Sequence, residues 1–374
     1  MVNLVMIFAT SLLIVLFAIP SIITVAKLKG LYDKPNDRKL HTNKIPRLGG
    51  LAIFASFTVS ICLWGTTDFP HMQYLTAGLI MLFFSGLKDD IIMLSPVNKL
   101  VMQICAAALV CIAENIRITS FHGLFGINEI PFYLSVPLSM FTLIVITNAF
   151  NLIDGVDGLA GGLSFIVSTT FAFWFHLINQ PAWALMAFSL SGAILGFLFF
   201  NFNPAKIFMG DAGSLTIGFI ISVFTIKFID LSSTPLAGDF KVETAPALAI
   251  AILIVPLYDT LRVVLVRLSK KRSPFKADRN HIHHWLLKLG LTHREVCYTL
   301  YFINLLFVSM AFLLKDNSTI VVLLTIVVIA AVVGQLPAYI YRHKITELEA
   351  DFDESNLLKF EMEEKSVENE YKKN

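Results

Sequence analysis

The chain has 374 residues, 56% hydrophobic and only 15% charged, with a formal net charge of +2 and a mean hydropathy of +0.72. A soluble chain of this length splits into two domains and carries about a quarter charged residues. This composition therefore excludes an ordinary water-soluble protein and points to a polytopic membrane protein. The net charge says nothing about partners by itself, whereas its distribution does, and no nucleic-acid partner is expected.

Apolar runs recur from end to end, long enough to cross about 30 Å of hydrocarbon as helices. In chain order they cover 4–26, 49–66, 71–87, 99–114, 132–150, 159–178, 181–200, 214–230, 244–266, 296–314 and 318–341. The stretch Met1 to Ala26 lacks a basic leader and a small-residue cleavage pattern, so it reads as a first membrane helix and not a removed signal peptide. The expected fold class is an all-α polytopic integral membrane protein with about eleven transmembrane helices. If odd-numbered spans run outside to inside, all but four of the 29 Lys and Arg residues fall on one side. The exceptions are Arg117, Lys227, Lys241 and Lys315. The positive-inside rule then places the N-terminus outside and the C-terminus in the cytoplasm.

On this topology the chain divides into a transmembrane catalytic domain, 1–341, and a charged cytoplasmic tail, 342–374. The cytoplasmic site loops are 27–48, 88–99, 151–158, 201–213 and 267–295. The tail holds ten acidic and six basic residues and reads as a solvated helix or a partly disordered segment. Four cysteines (Cys62, Cys105, Cys111, Cys297) lie in or beside apolar segments without paired or metal-ligand spacing and read as buried thiols.

The conspicuous polar clusters all fall on the same face. Asp89, Asp90, Asp154, Asp157 and Asp211 sit at the inner ends of spans. A charge at a helix centre costs about 3 kcal/mol on insertion scales. Any single helix-end carboxylate could be a solvated interface residue, but five together with glycines, asparagines and histidines ask for a function. Converging carboxylates repel one another and a hard divalent cation relieves that repulsion. Mg²⁺ needs only one or two of them, because it keeps waters and substrate phosphates as further ligands. Phosphate chemistry at a membrane surface is the expectation. In "NAFNLIDGVDGLAGG" (148–162) the glycines allow close backbone approach to a ligand. Helix packing accounts for Gly161 and Gly162 equally well, but not for the aspartates. "HIHH" (281–284) is open between a zinc site, an anion site and a plain loop. The absence of a nearby cysteine and the basic surroundings favour an anion.

Taken together, "RKLHTNKIPRLGG", "GLKDDIIMLSPVNKLVMQ", "NAFNLIDGVDGLAGG", "FNFNPAKIFMGDAGSL" and "PLYDTLRV…ADRNHIHH" resemble the successive motifs of the polyprenyl-phosphate N-acetylhexosamine-1-phosphate transferases, over about residues 30 to 290. The His-Ile-His-His run and eleven spans are most similar to the bacterial branch using UDP-GlcNAc and undecaprenyl phosphate. That branch starts O-antigen, common-antigen or teichoic-acid type polymers. The alternative is another UDP-N-acetylhexosamine, or the branch using UDP-MurNAc-pentapeptide.

The resemblance implies transfer of the sugar 1-phosphate to the lipid phosphate with release of UMP, dependent on Mg²⁺ or substituting Mn²⁺. It implies catalytic roles for Asp89 and Asp90, metal ligation by Asp211 with Asp154, and uracil stacking on Phe208. Asn151, Asp154 and Asp157 would hold the nucleotide with Asn201 nearby, and Lys44 and Lys99 would contact phosphates. Arg279, His281, His283 and His284 would engage the sugar-diphosphate. The family's third acid after the Asp-Asp pair is Met93 here, which puts any mechanism needing it in doubt. The partners implied are the UDP-sugar, undecaprenyl phosphate and membrane lipids, with a homodimer left open. The competing class is a cation-coupled transporter, but transport sites lie near the bilayer midplane and these carboxylates lie at span ends.

Overall fold

The computed structural model describes residues 2–31, 45–65, 72–232, 234–271 and 280–371. Among them the only regular structure is helical, apart from one isolated bridge between Ser120 and Glu129. In chain order the helices are α1 (Val2–Lys29), α2 (Gly49–Trp64), α3 (Met72–Ile92), α4 (Pro96–Ala108, continued by a π turn to Ala113), α5 (Phe132–Ile153), α6 (Leu159–Leu177) and α7 (Pro181–Asn201). Then follow α8 (Gly210–Ser232), α9 (Ala245–Ile252), α10 (Ile254–Ser269), α11 (Ile282–Lys288), α12 (His293–Leu313) and α13 (Thr319–Tyr371).

Each predicted apolar run falls on helix. Among the described residues eight helices are long and apolar enough to span a membrane, or nine if the bent pair α9 and α10 counts as one. At 16 residues α2 falls short of the length. The run expected as one span over 244–266 is broken at Leu253, with an 83° bend. Pro256 explains the break, because it has no N–H to give to the carbonyl of Ile252 four residues back. α13 continues through 53 residues into the tail, about 80 Å at 1.5 Å per residue. The tail beyond 341 is thus helical as far as Tyr371.

The bundle is organised around α8, of whose apolar stretch 94% is buried. α3 and α5 lie along it, α6 and α7 pair beside it, and α1 and α2 close the α7 side. Away from the carboxylates the core is aromatic. Phe171, Trp174 and Phe175 of α6 interleave with Phe224 and Phe228 of α8, the Trp174 and Phe228 rings meeting edge-on at 4.6 Å. Such pairs contribute about 1 kcal/mol beyond their buried area.

Several polar side chains inside the bundle pair across helices. Ser11 and Ser56 join α1 to α2 at 2.7 Å. The amides of Gln103 and Asn148 exchange hydrogen bonds at 3.2 and 2.7 Å between α4 and α5. Lys227 pairs with Asp230 at 3.1 Å, so this lysine within a span is a neutralised group. At the carboxylate end α8 is approached by two other helices. A Cβ on Gly50 would overlap the backbone of Gly213, and one on Gly86 would come within 2.6 Å of Ala212. Only glycine lets α2 and α3 close on the start of α8, and that closeness brings the site together.

Candidate active site

The site is built on the first turn of α8. Gly210 opens the helix with φ +70, a conformation glycine adopts without the strain a Cβ would bring. The exposed amides of that turn are capped from another helix. Asp90 accepts the N–H of Asp211 at 2.8 Å on one oxygen and the N–H of Ala212 at 3.0 Å on the other. A carboxylate suits this place twice, as acceptor for unpaired amides and as a negative charge at the positive end of the helix dipole. The adjacent Asp211 is thereby fixed in direction.

Asp89, one residue before Asp90 on α3, takes part in a second contact. Lys99 of α4 places its Nζ 2.7 Å from Asp89 Oδ2 and 2.6 Å from Asp211 Oδ2. The other oxygen of Asp89 accepts the backbone N–H of Leu94. Asp89, Asp90, Lys99 and Asp211, drawn from three helices, thus form one cluster. Met93, at the position of the family's third acid, has φ +36 and a largely exposed side chain.

Asp154 ends α5, half-buried beside this cluster. Loss of surrounding water, then the negative charges of Asp211 and Asp90, push its carboxyl up to about 7, with the Arg47 charge opposing. Asn151, one turn earlier, donates from Nδ2 to Ser214 Oγ at 2.8 Å and ties α5 to α8.

Asp157 and Asn201 have another environment. Asp157 is buried, and its Oδ2 accepts from Asn203 Nδ2 at 3.0 Å and from the N–H of Ala205 at 3.3 Å, with His293 Nδ1 at 3.8 Å. Asn201, also buried, accepts the N–H of Gly158 at 2.9 Å and donates to the carbonyl of Ile207 at 2.9 Å. Both side chains join the 154–158 and 201–207 loops. Phe208 is half-buried, and its backbone pairs with Pro46 at 2.8 Å and with Gly49 at 2.9 Å. The 45–50 segment is thereby seated on the α8 entrance.

The histidines arrive on the short α11. His281 Nδ1 lies 2.8 Å from Asp259 Oδ2, while Asp259 Oδ1 accepts the N–H of Ile282 at 2.8 Å and pairs with Arg262 at 3.2 Å. His283 is buried, and a Cβ on Gly155 would stand 2.7 Å from its Nε2, so it packs directly on the aspartate loop. Burial, reinforced by the neighbouring His284, depresses the His283 ring to about 3. It is therefore neutral at physiological pH. The rings of His283 and His284 are 4.3 Å apart, and those of His281 and His283 5.5 Å. Lys44 and Arg279 lie outside the described residues.

Two residues were not singled out from sequence. Arg47, whose charge bears on both Asp90 and Asp154, was hidden among the basic residues of a loop whose charge the orientation rule already explained. Asp259 orients His281, yet its i+3 spacing to Arg262 had already supplied it with a partner. Its place in "PLYDTLRV" was the available signal.

Among the described residues no three His, Cys, Asp or Glu side chains form a ready metal cage. The donor set still fits a magnesium ion, which needs one or two carboxylates and takes its remaining ligands from water and phosphate. Beyond the loss of water around it, Asp154 feels the negative charges of Asp211 and Asp90, a repulsion that a divalent cation would relieve.

A helical membrane bundle that gathers carboxylates, a lysine and histidines at one end of a buried helix is the architecture of a membrane-embedded enzyme acting on phosphorylated substrates. Residues 72–229 match the family model "Glycosyl transferase family 4". A probable undecaprenyl-phosphate N-acetylglucosaminyl 1-phosphate transferase of Bacillus subtilis (strain 168) is 34% identical over 345 residues, 90% of this chain and 92% of that protein. The undecaprenyl-phosphate alpha-N-acetylglucosaminyl 1-phosphate transferase of Escherichia coli (strain K12) is 33% identical over 281 residues, 72% of this chain and 73% of its own. The enzyme of the same name from Salmonella typhi is 34% identical, with 71% of each chain covered. The chain belongs to glycosyl transferase family 4 and is a transferase.

Proposed function

We propose that the protein transfers N-acetylglucosamine 1-phosphate from UDP-GlcNAc to undecaprenyl phosphate, releasing UMP, with the site facing the cytoplasm of a bacterial inner membrane. The observation that carries this reading is the meeting of Asp89, Lys99, Asp90 and Asp211 at the start of α8, beside Asp154. The alignment with the Bacillus subtilis relative covers 90% of the chain and so spans this cluster. The product would enter O-antigen, common-antigen or teichoic-acid type synthesis.

The chemistry needs little covalent machinery. An acceptor phosphate with a second pKa near 6 is largely dianionic at neutral pH. Its oxygen attacks the β-phosphorus of the sugar nucleotide, the bond to the bridging oxygen breaks, and UMP leaves with the electron pair. The barrier is repulsion between two phosphate groups, and Lys99 and Arg47 lower it by opposing charge. Asp211, with Asp154, would hold Mg²⁺, which supplies electrostatic stabilisation of the diphosphate. Asp90 has both oxygens engaged by α8 amides and serves to aim Asp211. Asp89 is left to take a residual proton from the acceptor. Asp157 and Asn201 act on the nucleotide through the loop they hold, and Phe208 offers a ring to the base. His283, being neutral, meets the diphosphate as a hydrogen-bonding group and not as a cation.

The test gives purified protein undecaprenyl phosphate and a panel of UDP-sugars, following UMP release with and without Mg²⁺. Metal-dependent release with UDP-GlcNAc is expected; release only with a different sugar nucleotide would replace the donor, and none with any would overturn the reading. Direct attack further predicts inversion at the β-phosphorus. Retention would demand a phosphorylated aspartate intermediate.

A further inference from the structure

One face of α12 carries a row of polar side chains to which the reaction assigns no role. His293, Cys297, Tyr301 and Asn304 follow at spacings of four, four and three residues, which keeps them on one side of a helix. Each meets a group outside α12. His293 stands 3.8 Å from the Asp157 carboxylate. Cys297 donates its thiol to the Asp157 carbonyl at 3.2 Å. Tyr301 donates its hydroxyl to the Gly158 carbonyl at 2.5 Å. Its ring lies against Gly162 so closely that any Cβ there would overlap it. Asn304 donates to the carbonyl of Ile252 at 3.2 Å. That carbonyl is the one Pro256 leaves without its helical donor, so an amide from α12 substitutes for the missing N–H.

Two of these contacts share a destination. Cys297 and Tyr301 grip consecutive carbonyls of the loop whose earlier residues, Asp154 and Gly155, face the carboxylate cluster and His283. The contact from Asn304 fixes the bend from which α10 presents Asp259 to His281. One rigid helix thereby sets the distance between the aspartate loop and the histidine helix.

We propose that Cys297 and Tyr301 are positioning residues for the donor half of the site. Acting through the carbonyls of Asp157 and Gly158, they hold the 154–158 loop in the geometry that receives the sugar nucleotide. The acceptor half, formed by Asp89 and Lys99 on α3 and α4, is not touched by this row. A role of this kind therefore separates the two substrates, whereas a purely structural one does not. The assignment rests on the function proposed above.

The experiment uses the full-length protein in lipid nanodiscs and begins with UMP binding to the wild type by calorimetry. Wild-type protein that binds no UMP would defeat the proposed function and with it this role. With binding established, Tyr301→Phe and Cys297→Val are expected to weaken UMP binding and raise KM for UDP-GlcNAc about fivefold, the equivalent of one ordinary hydrogen bond. KM for undecaprenyl phosphate should stay unchanged. Cys297→Ser, which keeps a donor, should remain within about twofold of wild type, less than half of one hydrogen bond. Variants that melt earlier while UMP binding per folded molecule is unchanged would overturn the proposal, as would equal changes in both KM values. If Tyr301→Phe gives no folded protein, the Val and Ser variants at Cys297 decide the matter by the same readouts.

Discussion

Asp90→Asn tests the division of labour between the paired aspartates. Asp90 accepts amide hydrogens at 2.8 and 3.0 Å from the first turn of α8. Asparagine keeps one acceptor oxygen and turns an NH₂ group toward the other amide, so one of the two bonds is lost. A hydrogen bond to a charged acceptor contributes about 1.5–3 kcal/mol, and a charge at a helix N-terminus about 0.3–1 kcal/mol. A total of about 2–4 kcal/mol corresponds to about a 30- to 700-fold loss, since each 1.4 kcal/mol is tenfold. If Asp90 acts by aiming Asp211, as proposed, the loss appears as weaker divalent-cation binding. Manganese titration followed by electron paramagnetic resonance measures that directly, alongside the dependence of UMP release on Mg²⁺ concentration. A large fall in kcat with unchanged cation affinity would refute the argument, because it would make Asp90 the group that handles the proton.

Three further outcomes follow from the same geometry. Lys99→Gln removes the ammonium between Asp89 and Asp211, so cation affinity should tighten while turnover drops at least tenfold; weaker cation binding would contradict the arrangement. Gly50→Ala should lower the melting temperature, because its Cβ would overlap the Gly213 backbone and overpacking costs about 1–3 kcal/mol. His283 has its pKa depressed to about 3 in the folded protein, below an unfolded value near 6.5. The unfolded chain therefore binds more protons as pH falls, and stability present above pH 6.5 is progressively lost toward pH 3. Melting curves between pH 7.5 and 5 should show a decline that His283→Asn makes shallower; an unchanged slope would show that this ring does not titrate as described.

The 34% identity over 90% of the chain with the Bacillus subtilis protein locates the family, and the geometry adds a distinction among its motif residues. Asp89, Asp211 and Lys99 form the charged centre. Asp90, Asp157 and Asn201 are engaged with backbone amides and loops around it. Motif residues of equal prominence in sequence therefore do different physical work.

The helical membrane class could be read directly from the chain, because a segment that must cross hydrocarbon needs both length and hydrophobicity, which leave a continuous trace in composition; the number of spans could not, since the described residues hold eight helices of spanning length and apolarity, or nine with the bent pair, against the eleven expected. The clustering of aspartates at span ends was equally legible, since the desolvation penalty disfavours an aspartate within a span unless it is paired, as Asp259 is. What the tertiary structure decided is which carboxylate touches which group. Asp90 reaches Asp211 across 121 residues, and Asp157 reaches Ala205 across 48. No periodicity encodes such pairings, because they depend on how closely α2 and α3 pack on α8 and on the direction each side chain takes once packed. The break at Leu253 has the same character. Pro256 is visible in sequence, but the amide of Asn304 that makes the interrupted helix tolerable is supplied by another helix, 52 residues away from Ile252.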